Sequence, residues 1–355
     1  MLDIQIEKTT HPKEKPTDES KLGFGKIFTD HMFIAEYVSG TGWHDARIVP
    51  YGPIPLDPSL MCLHYGQSIF EGLKAYRGVD GAIRLFRPEK NFARLNLSAE
   101  RMCLPKIDED FALKALETLV QLDQDWIPHQ EGTSLYLRPF MFGVDELIGV
   151  HPSSHVYFMI ICSPVGAYYP TGLDPVKILV EEKYVRAVKG GTGYIKAAAN
   201  YAQSLKAQQE AEDKGYSQVL WLDGIERKYI EEVGTMNMFF VMEDEIITPA
   251  LNGSILSGIT RMSCIEILRS WGLTVTERKI SIDEVVEASR SGRLKESFGS
   301  GTAAVISPVG ELMVGDERII INNGKIGALS QRLYDELTGI QWGRVEDKMQ
   351  WTLTI

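Results

Sequence analysis

The chain is poor in cysteine. Its 355 residues hold four, at 62, 103, 162 and 264, and no two form a C-x-x-C pair. They read as buried thiols in a reducing compartment rather than as a disulfide framework. An excess of positive charge is also lacking. The 37 Lys and Arg against 48 Asp and Glu leave a formal charge of -11, which argues against nucleic acid or an anionic membrane as the main partner. No apolar run approaches bilayer length; the longest, 156–162, suits a buried strand. No metal ligand set stands out. The polar first 22 residues, rich in Lys, Glu and Pro, lack the apolar centre of a signal peptide and predict an extended or mobile arm. A cytoplasmic location is expected.

Two nucleotide signatures are missing as well. A phosphate loop needs Gly directly before its Lys and Ser or Thr directly after it, whereas Ile195 and Ala197 flank Lys196. A dinucleotide fingerprint needs a third glycine where Lys196 stands.

What is present is a chain long enough for two domains, with irregularly ordered strands and helices. A hairpin is predicted from 31–38 and 43–49 around the turn 39–42. A helix is predicted over 67–76, where Ile69, Phe70, Leu73 and Tyr76 have helical spacing. Ile83 to Phe86 reads as a strand, Pro88 opens a helix running to about Cys103, and Asp108 caps the next. Strands follow at 134–140 and 155–162. Residues 164–176 contain three prolines and two glycines, a linker composition. Beyond them come a strand at 176–181, a helix at about 199–213 ended by Gly215, strands at 216–222, 228–232 and 237–242, and a helix starting near Gly258. The division expected is a polar arm (1–22), a small α+β domain (23–164), a linker (165–176) and a larger cofactor-binding domain (177–355). The fold class is mixed α+β; neither half reads as a doubly wound nucleotide domain.

The most informative stretch is 190–201, Gly-Gly-Thr-Gly-Tyr-Ile-Lys-Ala-Ala-Ala-Asn-Tyr. Glycines allow the backbone to approach a neighbour closely. A single lysine follows, then small residues, then Tyr201. That suits a lysine forming a Schiff base with a cofactor aldehyde, with a phenol to bond the cofactor oxygen; an ordinary loop with a surface lysine is the alternative. Ser257 to Arg261 opens a helix whose free N–H groups and Thr260 hydroxyl could bind phosphate, or could be simple capping. The small-residue loop from Phe298 to Ala304 could face an anion or be a tight turn. Glu231 and Glu232 end an apolar strand, where a carboxylate could face a pyridine nitrogen or form an exposed edge pair. Arg94 and Arg186 are further phosphate candidates or ordinary surface arginines.

Together these pieces resemble the branched-chain amino acid aminotransferases of fold type IV, the D-amino acid aminotransferase-like class of pyridoxal phosphate enzymes. The likeness runs from Phe24 to Arg344 and is strongest at 70–78, 134–139, 183–186 with Lys196, 232–237 and 298–303. It implies the two-domain fold of that class and pyridoxal 5′-phosphate as cofactor. Lys196 resembles the Schiff-base lysine that also carries the Cα proton. Glu232 resembles the acid facing the pyridine nitrogen, and Tyr201 the phenol at O3′. Arg94, Ile259, Thr260 and Thr302 match the phosphate cup. Arg186 lies close to it and Thr235 near the ring. On the substrate side the resemblance implies Phe24, Tyr65, Tyr136, Arg138 and Ala303, with Tyr168 closing over the pocket. Ile148 and Val150 match residues lent by a second subunit, so a homodimer is implied.

The activity implied is amino transfer between leucine, isoleucine or valine and 2-oxoglutarate by a ping-pong mechanism. D-amino acid aminotransferases and aminodeoxychorismate lyases share the lysine and glutamate but not the Tyr136-x-Arg138 and Met236-Asn237 pattern. A non-catalytic cofactor-binding protein would not need a full substrate wall. Some eukaryotic members carry a C-x-x-C where this chain has Ala304 and Ser307, so a thiol switch there is not expected.

Overall fold

The computed structural model describes residues 2–166 and 173–355. They divide into two compact units. The first holds 2–166, Lys196–Ala199 and Gly339–Ile355; the second holds 173–195 and Asn200–Thr338. Tyr168 and the centre of the linker, 167–172, lie outside the described residues.

In the first unit the hairpin forms from His31–Val38 and Gly42–Pro50. His31–Val38 also pairs antiparallel with His155–Val165, which pairs with Ser134–Gly143 along its whole length. Leu73–Arg77, Ile83–Phe86 and Thr352–Thr354 extend the sheet in that order. Helix Pro88–Arg101 has Pro at its start, and helix Glu109–Leu122 is capped by Asp108, whose carboxylate accepts the Phe111 N–H at 2.7 Å. The arm is tied down rather than mobile. Gln5–Ile6 pairs with Arg47 and Ile48, and the Lys13 N–H donates to Asp30 at 2.8 Å.

The helix expected over 67–76 does not form. Ser68–Phe70 and Leu73–Arg77 are strands, both paired to Ser134–Gly143. The spacing misled because Leu73 to Tyr76 are all buried, so no inward–outward alternation marks the strand. Glu71 and Gly72 separate the two strands, and a Cβ on Gly72 would lie 2.1 Å from the Tyr136 hydroxyl.

In the second unit Ile230–Val233, Gln218–Leu222, Val176–Glu181, Val305–Val314, Glu296–Gly301 and Met236–Val241 pair in that order. Ile230–Val233 also pairs with Met236–Val241, which closes a ring of six strands. Val176, Ile178, Val180, Leu220, Met238, Phe240 and Leu312 belong to one buried apolar cluster. Fully burying side chains of this size contributes roughly 1.5–3 kcal/mol each. The helix expected at 199–213 is instead two, Ala198–Ala202 and Leu205–Asp213, with the intervening Gln203 side chain donating to the Arg186 carbonyl. Helix Ile259–Ser270 starts at Gly258 as the sequence predicts. Among the described residues no helix is long and apolar enough to cross a membrane.

Candidate active site

Lys196 belongs to the first unit although the chain reaches it from the second. Its N–H donates to the Ser98 hydroxyl at 3.0 Å, and its carbonyl accepts the Phe70 N–H at 3.1 Å. Ala197 bridges to Ile69. The backbone at the lysine is therefore fixed on the strand Ser68–Phe70. Its Nζ stands 4.7 Å from the centre of the Phe70 ring.

The same ring receives Arg138. The guanidinium carbon lies 4.5 Å from the Phe70 centroid, and Nη2 donates to the Tyr136 hydroxyl at 3.0 Å. Tyr136 and Arg138, two apart on one strand, share a face. The Phe24 ring meets Tyr136 edge-on at 4.9 Å. Arg138 and Lys196 thus share the Phe70 ring, and Tyr136 and then Phe24 adjoin Arg138. Directly across from Tyr136 is Lys74, buried, with its pKa lowered to about 8 by desolvation. Tyr65 sits apart on the short helix Met61–Tyr65 and is exposed.

Arg94 is buried on helix Pro88–Arg101. It makes a two-pronged pair with the fully buried Glu71, Nε to Oε1 and Nη2 to Oε2, both 2.8 Å. Asn91 donates to the same carboxylate at 2.8 Å. Such a pair is oriented as well as charged.

The other group of site residues lies in the second unit. Glu232 is buried. Its Oε1 accepts the Leu256 N–H at 2.6 Å and stands 3.2 Å from Nη2 of Arg186. Arg186 also donates to the carbonyls of Gly193 and Ser254. It is seated against this acid and two backbone oxygens. Glu232 is in register with Asn237, and Asn237 with Ser300, so the three form a row across adjacent strands. Ser300 is buried, and its hydroxyl has no hydrogen-bond partner among the described residues.

Ile259 and Thr260, both buried, open helix Ile259–Ser270, whose start has no side-chain cap. Its first N–H groups are therefore left for a ligand or water. A Cβ at Gly258 would lie 2.0 Å from Asn237 Oδ1, so any other residue there must displace that amide. Thr302 and Ala303 are half-buried beyond the strand Glu296–Gly301. Thr235 is exposed in the turn between Ile230–Val233 and Met236–Val241. Tyr201 is half-buried on helix Ala198–Ala202.

The glycine-led run has a local cause. Gly193 packs so closely that a Cβ would lie 2.2 Å from the Ser254 carbonyl oxygen and 2.3 Å from Ala187 Cβ. Asn200 then pins the run, donating to the carbonyls of Thr192 (2.8 Å) and Ile195 (2.9 Å) and accepting from the Thr192 hydroxyl. Glu71, Ser98, Asn200 and Ser254 support the site although sequence reasoning gave them no role, and Asn237, known there only through the Met236-Asn237 pattern, joins them. The signal that Ser98 and Ser254 carried was a polar residue amid apolar or small neighbours.

Among the described residues no His, Cys, Asp or Glu group of three or more could hold a metal ion. The first unit offers instead an amine, and the second a row of polar side chains beside a buried acid and an uncapped helix terminus.

A family model described as Amino-transferase class IV matches residues 68–312. The chain is 58% identical over 353 residues to branched-chain-amino-acid aminotransferase 2 of Bacillus subtilis (strain 168), covering 99% of this chain and 97% of that protein. Its structure resembles the crystal structure of Escherichia coli branched-chain amino acid aminotransferase, with a TM-score of 0.75, 27% identity and coverage of 91% and 98%. The branched-chain aminotransferase of the thermophilic archaeon Thermoproteus uzoniensis, solved with norvaline, gives a TM-score of 0.76 at 25% identity, covering 91% of this chain and 99% of that one. The fold is that of the fold type IV aminotransferases, and the chain belongs to the class IV aminotransferase family.

Proposed function

We propose that this protein transfers the amino group between L-leucine, L-isoleucine or L-valine and 2-oxoglutarate, with pyridoxal 5′-phosphate as its cofactor. The seating of Lys196 carries the reading: its backbone is held by Ser98 and Phe70, and its Nζ and the Arg138 guanidinium share one aromatic ring. When bound, the cofactor supplies an aldehyde for an amine and a ring that draws electron density from the substrate Cα.

The residues present fit that group. The uncapped terminus at Gly258, Ile259 and Thr260 offers donors for its phosphate, and the partnerless Ser300 hydroxyl lies in the Glu232–Asn237 row. Glu232 would meet the ring nitrogen and Tyr201 the ring oxygen. Arg94, Arg186 and Thr302 would add positive charge and donors for the phosphate, with Thr235 near the ring. Lys196 would hold the cofactor and move the proton at the substrate Cα.

Tyr136 and Arg138 would bind carboxylates, Arg138 favouring the second carboxylate of 2-oxoglutarate or glutamate. Phe24, Phe70, Tyr65 and Ala303 would present apolar surface to a branched side chain, and Tyr168 would close over it. The protein would work as a homodimer. Leu63 and Tyr65 on the helix Met61–Tyr65 and Leu147, Ile148 and Val150 on a loop are exposed, and the Met61 N–H ties the two segments by donating to the Asp145 carbonyl at 3.1 Å. An apolar group of this kind suits a partner surface. A reducing, cytoplasmic setting is consistent with its four unpaired cysteines.

The test is a single-turnover experiment. Purified, cofactor-loaded protein mixed with L-leucine alone should release one equivalent of oxo acid per site and stop. Adding 2-oxoglutarate should restart it. Continuous turnover without an acceptor, or none with one, refutes the reading.

A further inference from the structure

Two consecutive carboxylates of strand Ile230–Val233 grip a single loop. Glu231 and Glu232 are both buried, each 3% exposed. Glu231 Oε1 accepts the Asn252 amide at 3.0 Å and the Ser254 hydroxyl. Glu232 Oε1 accepts the Leu256 N–H at 2.6 Å. Arg186 holds the Ser254 carbonyl, and the Asn237 amide donates to the Leu256 carbonyl at 2.9 Å. The loop 252–256 is thus fixed from four sides. Only Ser257 separates it from Gly258, which begins helix Ile259–Ser270. A shift of the loop must therefore move the N–H groups at that terminus.

Glu231 uses one oxygen for this. Its Oε2 has no hydrogen-bond partner among the described residues, and the residue lines a pocket of about 160 Å³ in the second unit. None of the roles proposed above employs this residue.

We propose that Glu231 is a positioning residue for the phosphate-binding terminus. Through Asn252 and Ser254 it sets where Gly258, Ile259 and Thr260 present their donors to the cofactor phosphate. The inference rests on reading that terminus as the phosphate site. The contacts need an acceptor at Oε1 and nothing from Oε2. A glutamine at 231 keeps an acceptor at Oε1 in a side chain of the same size; an alanine loses the acceptor. A positional role therefore survives Glu231→Gln and fails in Glu231→Ala, whereas a role through the negative charge fails in both.

Holoenzymes of the parent protein and of Glu231→Ala, Glu231→Gln, Ser254→Ala and Thr260→Ala would be diluted into cofactor-free buffer. Cofactor loss would be followed by its absorbance, after reconstitution with pyridoxal 5′-phosphate or with pyridoxal, which lacks the phosphate. Glu231→Ala should release the phosphorylated cofactor at least tenfold faster than the parent, and Ser254→Ala at least threefold faster. Glu231→Gln should stay within threefold, and the Glu231 and Ser254 variants should match the parent with pyridoxal. Parent-like release from Thr260→Ala would overturn the phosphate-site reading itself. Faster release from Thr260→Ala with parent-like release from Glu231→Ala overturns the positioning role alone, and Ser254→Ala decides this if Glu231→Ala does not fold. Equal damage in Glu231→Gln and Glu231→Ala, or equal acceleration with pyridoxal, also overturns it.

Discussion

Replacing Gly72 by alanine should weaken recognition of the dicarboxylate substrate without unfolding the protein. The added Cβ would lie 2.1 Å from the Tyr136 hydroxyl oxygen and 3.0 Å from the ring carbon bearing it. The phenol must swing away. It then gives up its 3.0 Å bond from Arg138 and its edge contact with Phe24. A hydrogen bond to a charged group contributes about 1.5–3 kcal/mol. At about 1.4 kcal/mol per decade, kcat/KM for 2-oxoglutarate should fall roughly 10- to 150-fold. Stability should change little, because the atom that moves is the far end of a half-buried side chain. Steady-state kinetics with each substrate varied, together with thermal unfolding, would measure both effects. Tyr136→Phe should lower the same constant by a similar factor, and adding it to Gly72→Ala should cost little more, since the two changes break one bond. Parent-like kinetics in Gly72→Ala, or fully additive losses in the double variant, would refute the coupling of Gly72, Tyr136 and Arg138.

Lys196→Ala should reduce steady-state turnover by at least about 1,000-fold with the fold intact, since covalent and proton-transfer roles are lost together; substantial turnover without added amines rejects the assignment. Glu232→Gln should lower kcat roughly tenfold or more and cost less in folding, since a neutral amide no longer holds a proton on the ring nitrogen that Glu232 is proposed to face; kinetics beside thermal unfolding measure both, and a stability loss that outweighs the loss of kcat rejects the role. Lys74 is buried with its pKa lowered from 10.5 to about 8, so folding disfavours its charged form. That penalty is full below about pH 8 and vanishes above about 10.5, so stability should rise between them by about 3 kcal/mol in all. Urea unfolding at pH 7.5 and 10 should show this gain in the parent and lose it in Lys74→Met. Mild peroxide should leave activity nearly unchanged, because burial raises the pKa of the Cys62, Cys162 and Cys264 thiols, and Cys103, which is exposed rather than buried as the sequence suggests, has no role in the site; a large loss reversed by dithiothreitol contradicts this.

Much of this chain was legible because short-range chemistry decided it. Asp108 followed by an apolar periodic run is a helix start, and it forms one. Ile83–Phe86 is a strand as its composition predicts. Fully buried segments were the failure. Around Gly72 the helical and strand spacings coincide, and only pairing with Ser134–Gly143 chooses between them. The closed ring of the second unit depends on Ile230–Val233 meeting Met236–Val241 as well as Gln218–Leu222, a long-range register that no local pattern encodes. At the candidate site the charged and aromatic residues announced themselves through motifs. Their supports did not. Ser98 and Asn200 look like any polar helix residue until burial and bonding show what they hold. The run before Lys196 was conspicuous, yet Gly193 serves packing against Ser254 and Ala187.

The way the chain leaves the first unit and returns to it bears on the order in which the protein can be made. Thr352–Thr354 pairs with Ile83–Phe86, and Arg87 stacks on Trp351 at 4.6 Å. Those partners reach the first unit only after the whole second unit has been synthesised. At roughly 5–20 residues per second, the wait from residue 166 to residue 339 is on the order of ten seconds or more. Throughout it Ile83–Phe86 presents an open strand edge on the side that Thr352–Thr354 will cover. The nascent first unit must therefore wait half-built, and a chaperone or a fast-folding second unit has the most to protect in that interval.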